Sequence, residues 1–240
     1  MDHGITMGAV KGLKEIESTI DAVTRGGADA VLTQKGIAPR VHPNNNDAGY
    51  VVHVNASTTV GPDENDKRVT ATVTEAIRAG ADAVSMHLNV GSNYEPRQIE
   101  DLAELTADAA QFGIPVLAMA YARGPGIEGD EPDKLGHAVR LAEELGADVV
   151  KTGYSGDGES FEHVCESTRL PVVIAGGSKG TDLETARMVR GAMDGGAAGV
   201  SMGRSIFQHD DPEAITRVVS AIVHDDRGAE EALEIAGLDG

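Results

Sequence analysis

Lys151 is the residue of this 240-residue sequence whose position most strongly suggests chemistry. It ends the segment 147–151 (ADVVK), which follows Gly146 and has the composition of a buried parallel strand. Lysine is rarely buried unless it has a partner or a role. Burial favours the neutral amine, which can attack a carbonyl carbon. We therefore predict that Lys151 is a nucleophile; the alternative is an exposed lysine at a loop edge.

Three further candidates, Asp2, His87 and Tyr121, stand where other strands are predicted to end. Tyr121 closes the strand before that of Lys151, so its phenol can approach the amine and transfer protons. His87 belongs to a segment in which small and polar residues alternate with apolar ones, so it should face a barrel axis and contact substrate or Tyr121. The structural alternatives are packing for Tyr121, a hydrogen-bonded core histidine for His87 and a disordered terminus for Asp2.

Two glycine-rich loops near the C-terminus suggest a phosphate site. Residues 176–180 (GGSKG) precede a predicted helix, and residues 203–205 (GRS) begin another. Backbone N–H groups of such loops and helix N-termini bind phosphate, often after the last two strands of a barrel. The predicted phosphate-binding residues are Gly176, Gly177, Ser178, Lys179, Gly203 and Arg204. Ordinary turn glycines are the alternative.

A repeated unit along the chain predicts the fold that positions these residues. A helix-ending glycine, a short valine- or isoleucine-rich strand and a polar loop recur about every 20–35 residues, the length of a βα unit. Seven complete strands are predicted, and residues 1–4 resemble the tail of another. We predict an α/β fold, a single TIM (β/α)8 barrel domain over residues 1–240 with strand 1 truncated at the N-terminus. A doubly wound sheet is the alternative.

Composition limits the function classes. A net charge of −19 would repel nucleic acid and anionic membranes, so we expect neither as a partner. No apolar run approaches the roughly 20 residues of a membrane span, and no signal peptide is recognisable. The single cysteine, Cys165, suits a reducing cytoplasm. An acidic, lysine-poor surface further predicts a halophilic protein, because concentrated salt screens its charges.

Several stretches, in order along nearly the whole chain, resemble the archaeal-type class I aldolase family, which includes archaeal fructose-bisphosphate aldolases. They are residues 1–4 (MDHG), 53–63 (HVNASTTVGPD), 82–91 (DAVSMHLNVG), 121–127 (YARGPGI), 148–157 (DVVKTGYSGD), 172–179 (VVIAGGSK) and 203–211 (GRSIFQHDD). The stretch 178–180 departs from the Pro-Lys-Thr expected in the family, and a segment that supplies strand 1 in the family is missing upstream.

The resemblance implies roles and a reaction. Lys151 would form the Schiff base, Tyr121 would be the acid/base residue, and Asp2 would be the active-site aspartate. A ketose phosphate, 6-deoxy-5-ketofructose 1-phosphate, would donate a carbon nucleophile to L-aspartate semialdehyde, on a route to 3-dehydroquinate and the aromatic amino acids. A fructose-bisphosphate aldolase with the same lysine is the near alternative. A homo-oligomer that acts on small-molecule substrates is expected. No metal or cofactor is expected, because a protonated imine is itself an electron sink.

Two functions from other classes stay open. A metal-dependent aldolase could use His3, His53 and His87 as Zn²⁺ ligands, although these histidines lack close spacing. A non-enzymatic phosphate-binding barrel would need only the two glycine loops. Neither hypothesis explains Lys151.

Overall fold

A curled parallel sheet organises the computed structural model, which describes residues 1–177 and 180–238. The described residues form nine strands: β1 (Ala30–Gln34), β2 (Gly49–His53), β3 (Asn55–Ala56), β4 (Arg68–Val69), β5 (Ala83–Val90), β6 (Val116–Ala122), β7 (Val149–Thr152), β8 (Val172–Ala175) and β9 (Gly199–Ser201). Seven of them make the main sheet, in the order β1-β2-β5-β6-β7-β8-β9, and all its neighbours are parallel. The short strands β3 and β4 pair antiparallel beside it.

Helices connect the parallel strands, as parallel pairing requires. Within the described ranges, the α-helices are α1 (Gly4–Met7), α2 (Ile16–Arg25), α3 (Ala38–Val41), α4 (Val73–Arg78), α5 (Glu95–Phe112), α6 (Pro132–Glu144), α7 (Gly158–Glu166), α8 (Asp182–Asp194), α9 (Arg204–Phe207), α10 (Pro212–Asp225) and α11 (Ala229–Ala236). Local signals set several of their starts. Asp211, predicted to cap α10, accepts a hydrogen bond from the Ala214 amide, and Pro212 occupies the first turn.

The two faces of each strand have different environments. In β5, Val84, Met86 and Leu88 are buried against the surrounding helices. The alternate residues, which include Ser85 and His87, point to the inside of the curl, as the sequence predicted. The helix-facing apolar side chains hold the layers together, so the inward face is left for polar groups.

A partly open cavity of about 440 Å³ lies inside the curled sheet and extends to helices α2 and α10. Inward residues of both edge strands, Leu32 in β1 and Gly199 in β9, line it together with Val51, Leu117 and Val149. The edges β1 and β9 do not pair with each other in the described residues. The fold is therefore an incomplete (β/α) barrel, in agreement with the predicted class.

The N-terminal segment differs in detail from its prediction. Residues 1–3 are not a strand and Gly4–Met7 is a short helix, whereas we expected the tail of strand 1 at residues 1–4. One hydrogen bond of the N-terminal segment resembles a bond between neighbouring strands: the Met1 amino group donates to the Leu32 carbonyl at 2.6 Å. One such bond does not make a strand, but it fixes Asp2 at the cavity.

A long connection crosses the carboxyl ends of the strands. Residues 54–72 run from β2 to α4 through the β3–β4 pair, and they carry Lys67, which is only 8% exposed. The Gln98 side chain of α5 donates to the Asn65 carbonyl at 2.6 Å and so fixes this connection. The connection therefore brings a lysine to the edge of the sheet where active sites of such barrels lie.

Candidate active site

Lys151 lies in β7 on the inward face of the sheet. It is 8% exposed and lines the cavity with Asp2 and Gly203. Its register neighbours are Met119 in β6 and Val173 in β8. Among the described residues, no hydrogen bond or ion pair engages the amine. The predicted burial is thus confirmed, and within residues 1–177 and 180–238 this nitrogen has no partner that would compete with a ligand.

Tyr121 lies near Lys151, as strand order requires. It is two residues beyond Met119 in β6, so its side chain points to the same face, one step closer to the strand ends. The phenol ring is buried and packs against the His87 ring, with centroids 4.9 Å apart. The Arg123 guanidinium carbon lies 4.2 Å from the Tyr121 ring centroid. Cationic and aromatic neighbours therefore hold the phenol in one orientation.

His87 is a neutral imidazole fixed by hydrogen bonds. Its Nε2 lies 2.9 Å from Asn89 Oδ1, so Nε2–H donates and Nδ1 is left as an acceptor. The Asn55 side chain accepts from the His87 amide and donates to its carbonyl. Burial lowers the pKa of His87 well below its usual value, and the positive charges of Lys67 and Arg123 lower it further. The Asn89 Nδ2 amide is buried without a partner in the described residues.

Asp2 joins the site from the N-terminal segment. Its Oδ1 lies 3.3 Å from His3 Nδ1, and its Oδ2 lies 3.9 Å from His53 Nε2. Burial alone would raise the pKa of Asp2, but the contact with His3 and the surrounding positive charges together hold it well below its usual range. Asp2 is therefore ionised near neutral pH.

His53 is the neutral neighbour of this carboxylate. It is 3% exposed, and its Nδ1 lies 2.7 Å from Ser85 Oγ. Burial lowers the pKa of His53 to about 4, although the Asp2 charge opposes this shift. The site thus combines an ionised carboxylate with two uncharged imidazoles.

The predicted phosphate loops meet on the other side of Lys151, after β8 and β9. Arg204 Nη2 donates to the Gly177 carbonyl at 3.2 Å, and Ser205 Oγ donates to the Gly176 carbonyl at 3.0 Å. Gly177 has φ +59°, which favours glycine. A Cβ at Gly203 would lie 2.5 Å from His3 Cε1. The two loops are therefore tied together, while the predicted Ser178 and Lys179 lie outside the described residues.

Three charged residues near the site were missed by the sequence reasoning. The Lys67 amine donates to Ser57 Oγ at 2.8 Å, but no carboxylate pairs with it in the described chain. Arg123 covers Tyr121, and the Asp130 carboxylate lies against Gly153, where a Cβ would come within 2.3 Å of Oδ1. These residues come from irregular loops with no periodic pattern. The scarcity of lysine, seven in the chain, could have drawn attention to Lys67.

The three histidines of the metal hypothesis pack against different residues, although His3 and His53 both have Asp2 as a neighbour. His3 packs edge-on against Phe207, His53 contacts Ser85 and His87 packs on Tyr121. No group of three potential ligands among His, Cys, Asp and Glu could hold a metal ion in the part of the chain that the structure describes. Nor does the described chain contain a helix with the length and apolar character that crossing a bilayer requires.

Comparisons with known proteins agree with this geometry. Over 238 residues the chain is 64% identical to the 2-amino-3,7-dideoxy-D-threo-hept-6-ulosonate synthase of Halobacterium salinarum, covering 99% of this chain and 90% of the relative. It is 42% identical over 238 residues to the corresponding synthase 1 of Archaeoglobus fulgidus, covering 99% and 89%.

A solved structure matches the fold and shows lysine chemistry. It is an archaeal fructose-1,6-bisphosphate aldolase with its catalytic lysine covalently bound to the carbinolamine intermediate of the substrate. It superposes with a TM-score of 0.85 at 28% identity, covering 93% of this chain and 91% of that one. Residues 1–209 also match the sequence model of the DeoC/LacD family aldolases. The chain therefore belongs to the DeoC/LacD family of aldolases.

Proposed function

We propose that this protein is a Schiff-base transaldolase that forms 2-amino-3,7-dideoxy-D-threo-hept-6-ulosonate, the product named for its Halobacterium relative. The donor is 6-deoxy-5-ketofructose 1-phosphate and the acceptor is L-aspartate semialdehyde. The observation that carries the proposal is the buried Lys151 amine, which faces the cavity without an ion-pair partner among the described residues. A buried amine without a carboxylate partner is suited to attack a ketone.

The first step attaches the donor to the enzyme. The Lys151 amine attacks the C5 ketone carbon, and the resulting carbinolamine loses water to give an iminium ion. Asp2, which is ionised and lines the same cavity as Lys151, orients the carbinolamine hydroxyl and stabilises the cation that forms. Tyr121 supplies the proton with which the hydroxyl leaves as water.

The second step breaks a carbon–carbon bond. Its electron pair moves to the iminium nitrogen and leaves a neutral enamine on Lys151. The hydroxyl on the departing carbon gives its proton to the Tyr121 phenolate, and hydroxypyruvaldehyde phosphate is released.

The third step makes the new bond. The enamine carbon attacks the aldehyde carbon of L-aspartate semialdehyde, whose oxygen takes the proton from Tyr121. Water then hydrolyses the new iminium ion, so the product leaves and Lys151 is regenerated. Neutral His87, packed on Tyr121, keeps the phenol in place through these proton transfers.

The glycine loops are assigned to the phosphate of the donor. The phosphate can approach the backbone closely at Gly176, Gly177 and Gly203, because these residues have no side chains. The half-buried Arg204 adds a positive charge. Ser178 and Lys179 belong to the same proposed set. The Arg204–Gly177 contact supports this assignment, because it joins the two loops into a single binding surface.

Borohydride trapping tests the proposal. Reduction with borohydride in the presence of the donor should label wild-type protein with one donor-derived fragment, located on the Lys151 peptide by mass spectrometry. Lys151→Met should show no label, whereas the exposed Lys14→Met should label like wild type. Labelling of Lys151→Met to the wild-type level would contradict the Schiff-base assignment.

Fructose-bisphosphate aldolase activity is the second candidate, because a solved archaeal enzyme of that activity shares the fold and the lysine chemistry. Turnover assays with enzyme that has not been treated with borohydride distinguish the two. Formation of the amino-heptulosonate on addition of L-aspartate semialdehyde supports the synthase. Turnover of fructose 1,6-bisphosphate with release of glyceraldehyde 3-phosphate supports the aldolase.

We also infer where the protein works. Its net charge of −19 and its likeness to a Halobacterium protein support a high-salt interior. Small-molecule substrates support a cytoplasmic location, and assembly into a homo-oligomer is proposed from the sequence resemblance alone. Sedimentation in molar KCl would measure the oligomeric state.

A further inference from the structure

Lys151 lies in a row of inward residues that the parallel register aligns across the sheet. The row runs from His87 in β5 through Met119 in β6 and Lys151 in β7 to Val173 in β8. Aligned residues of neighbouring parallel strands point to the same face of the sheet. The two side chains next to that of Lys151 are therefore both apolar, with Met119 on one side and Val173 on the other.

The inward residues one step closer to the amino ends of β6 and β7 are apolar as well. Leu117 and Val149 precede Met119 and Lys151 by two residues, and the register aligns them with each other. Leu117, Val149 and Val173 line the same cavity as Lys151. Lys151 therefore borders an apolar patch on the inside of the curl, which consists of Leu117, Met119, Val149 and Val173.

Met119 is buried without being part of the helix-facing core. It is 3% exposed, and neither apolar core cluster of the described residues includes it. The alternate residues of β6, Val116, Ala118 and Ala120, do belong to the larger cluster. The helices pack on these residues and not on Met119, so its flexible thioether side chain is available to a ligand inside the curl.

The direction of the donor follows from the groups assigned to it. The imine carbon, C5, carries the C6 methyl group on one side and the chain from C4 to the C1 phosphate on the other. Tyr121 lies two residues beyond Met119, and the glycine loops follow the carboxyl ends of β8 and β9. The chain must therefore run from Lys151 toward the strand ends. Because the imine carbon is trigonal, the methyl group points away from that chain, toward the apolar patch.

We propose that the apolar patch binds the methyl end of the donor and makes the enzyme specific for a ketone with a terminal methyl group. A methyl group is stabilised when it leaves water for apolar side chains. A hydroxymethyl group in the same place would lose hydrogen bonds to water, because the patch offers no strong donor or acceptor. Ser85, the polar residue aligned with Leu117, already contacts His53 Nδ1 at 2.7 Å. This inference rests on the proposed function, because it names the part of the donor that the same site recognises.

The patch also has a role while the two aldehydes exchange. After the carbon–carbon bond breaks, the phosphate leaves with hydroxypyruvaldehyde phosphate, and the enamine keeps only its methyl group and one hydroxyl. Contact with the glycine loops is then lost, whereas the methyl group stays on the patch because it belongs to the fragment on Lys151. The bound methyl group therefore holds the enamine in position for the acceptor, which enters where the departing aldehyde was bound.

The test compares two donors that differ in one hydroxyl group. The compound 5-ketofructose 1-phosphate has a hydroxymethyl group where 6-deoxy-5-ketofructose 1-phosphate has its methyl group. Both release hydroxypyruvaldehyde phosphate, so one assay gives the ratio of kcat/KM for the two donors, with saturating L-aspartate semialdehyde in molar KCl. The variants are Met119→Gln, Met119→Leu and Val173→Thr, and the matched controls at exposed positions are Met7→Gln and Val69→Thr.

Wild-type enzyme should prefer the methyl donor about 10- to 100-fold, the range expected when an apolar site must bury an extra hydroxyl. Met119→Gln should reduce this preference at least about 10-fold, because its amide can bond the hydroxyl. The nearly isosteric Val173→Thr should reduce it about threefold or more for the same reason. Met119→Leu should stay within about twofold of the wild-type preference, since the apolar contact is retained. A general loss of packing would lower both kcat/KM values and leave their ratio unchanged.

Contrary outcomes are equally specific. Ratios of Met119→Gln and Val173→Thr equal to those of their controls would overturn the proposal, because the patch would then only fill space. Borohydride trapping of the methyl donor on Lys151 checks that each variant is folded. Wild-type protein that traps neither donor at Lys151 would overturn the proposed function, whereas wild-type trapping and turnover without a preference for the methyl donor would overturn only the role of the patch.

Discussion

The imidazole of His87 packs on the phenol ring of Tyr121, with 4.9 Å between centroids. The contact joins the inward faces of β5 and β6, whose register pairs Asn89 with Tyr121. A neutral ring on one side and the Arg123 guanidinium on the other leave the phenol little freedom. The orientation of the proposed proton carrier therefore depends on its neighbours as much as on its own strand.

Replacing Tyr121 by Phe should keep this packing and remove the proton carrier. We expect kcat to fall about 10²- to 10⁴-fold, the usual contribution of a general acid–base group. Imine formation at equilibrium should persist, so borohydride should still label Lys151. Tyr94→Phe, at a partly exposed tyrosine, is the control. Turnover of Tyr121→Phe within threefold of wild type would show that another group moves the proton.

A methyl group at Gly203 should damage the site by steric means. The added Cβ would lie 2.5 Å from His3 Cε1 and displace the ring that contacts Asp2. We expect Gly203→Ala to lower kcat/KM for the donor at least about 10-fold, since small misplacements of catalytic groups have large effects. Gly36→Ala, where nothing lies within 4 Å of the new Cβ, is the control. Equal kinetics of the two variants would contradict the packing argument.

Arg204 should matter for phosphate and not for the acceptor. In Arg204→Gln the charge beside Gly177 is lost, so inorganic phosphate should inhibit about 10-fold more weakly, and the donor KM should rise by a similar factor. The exposed Arg140→Gln, whose partner is Glu144, controls for a change of net charge. Unchanged inhibition by phosphate in Arg204→Gln would remove Arg204 from the phosphate site.

Regular elements were predictable because they have periodic patterns. Alternation in 83–89 correctly placed His87 inside the curl, and the glycine-then-valine pattern before Lys151 correctly predicted a buried strand. The N-terminal residues have no such pattern, which is why residues 1–4 were wrongly assigned to a strand. Asp2 nevertheless lies at the cavity, because the Met1 amino group bonds to β1.

The charged residues of the loops were not predictable. Lys67 owes its burial to the folding of residues 54–72 over the strand ends, and Asp130 reaches Gly153 only through the loop after β6. Neither position follows from neighbours in sequence, because loop conformation depends on tertiary contacts such as Gln98 with Asn65. The scarcity of lysine in the chain is a weaker signal than a periodic pattern. It would nevertheless have directed attention to Lys67, which is buried.

The stability of the protein should depend on pH through His53. Its pKa is about 4 in the folded protein, against 6.5 as the ordinary value, so the unfolded chain binds its proton first as pH falls. The folded state therefore loses stability between pH 6.5 and pH 4. The shift corresponds to about 3 kcal/mol over the whole window. Burial of the neutral ring is the main cause, and the Asp2 carboxylate limits the effect.

Denaturant unfolding at pH 7 and pH 4.5 in molar KCl measures this contribution. His53→Gln keeps a polar side chain beside Ser85 but cannot take up a proton, so its free energy of unfolding should fall less over this interval than that of wild type. The difference should be about 2 to 3 kcal/mol. His137→Gln, at an exposed histidine, is the control and should behave like wild type. Identical pH dependence of wild type and His53→Gln would mean that His53 is not buried in its neutral form, and the arrangement of an ionised Asp2 beside an uncharged imidazole would then be wrong.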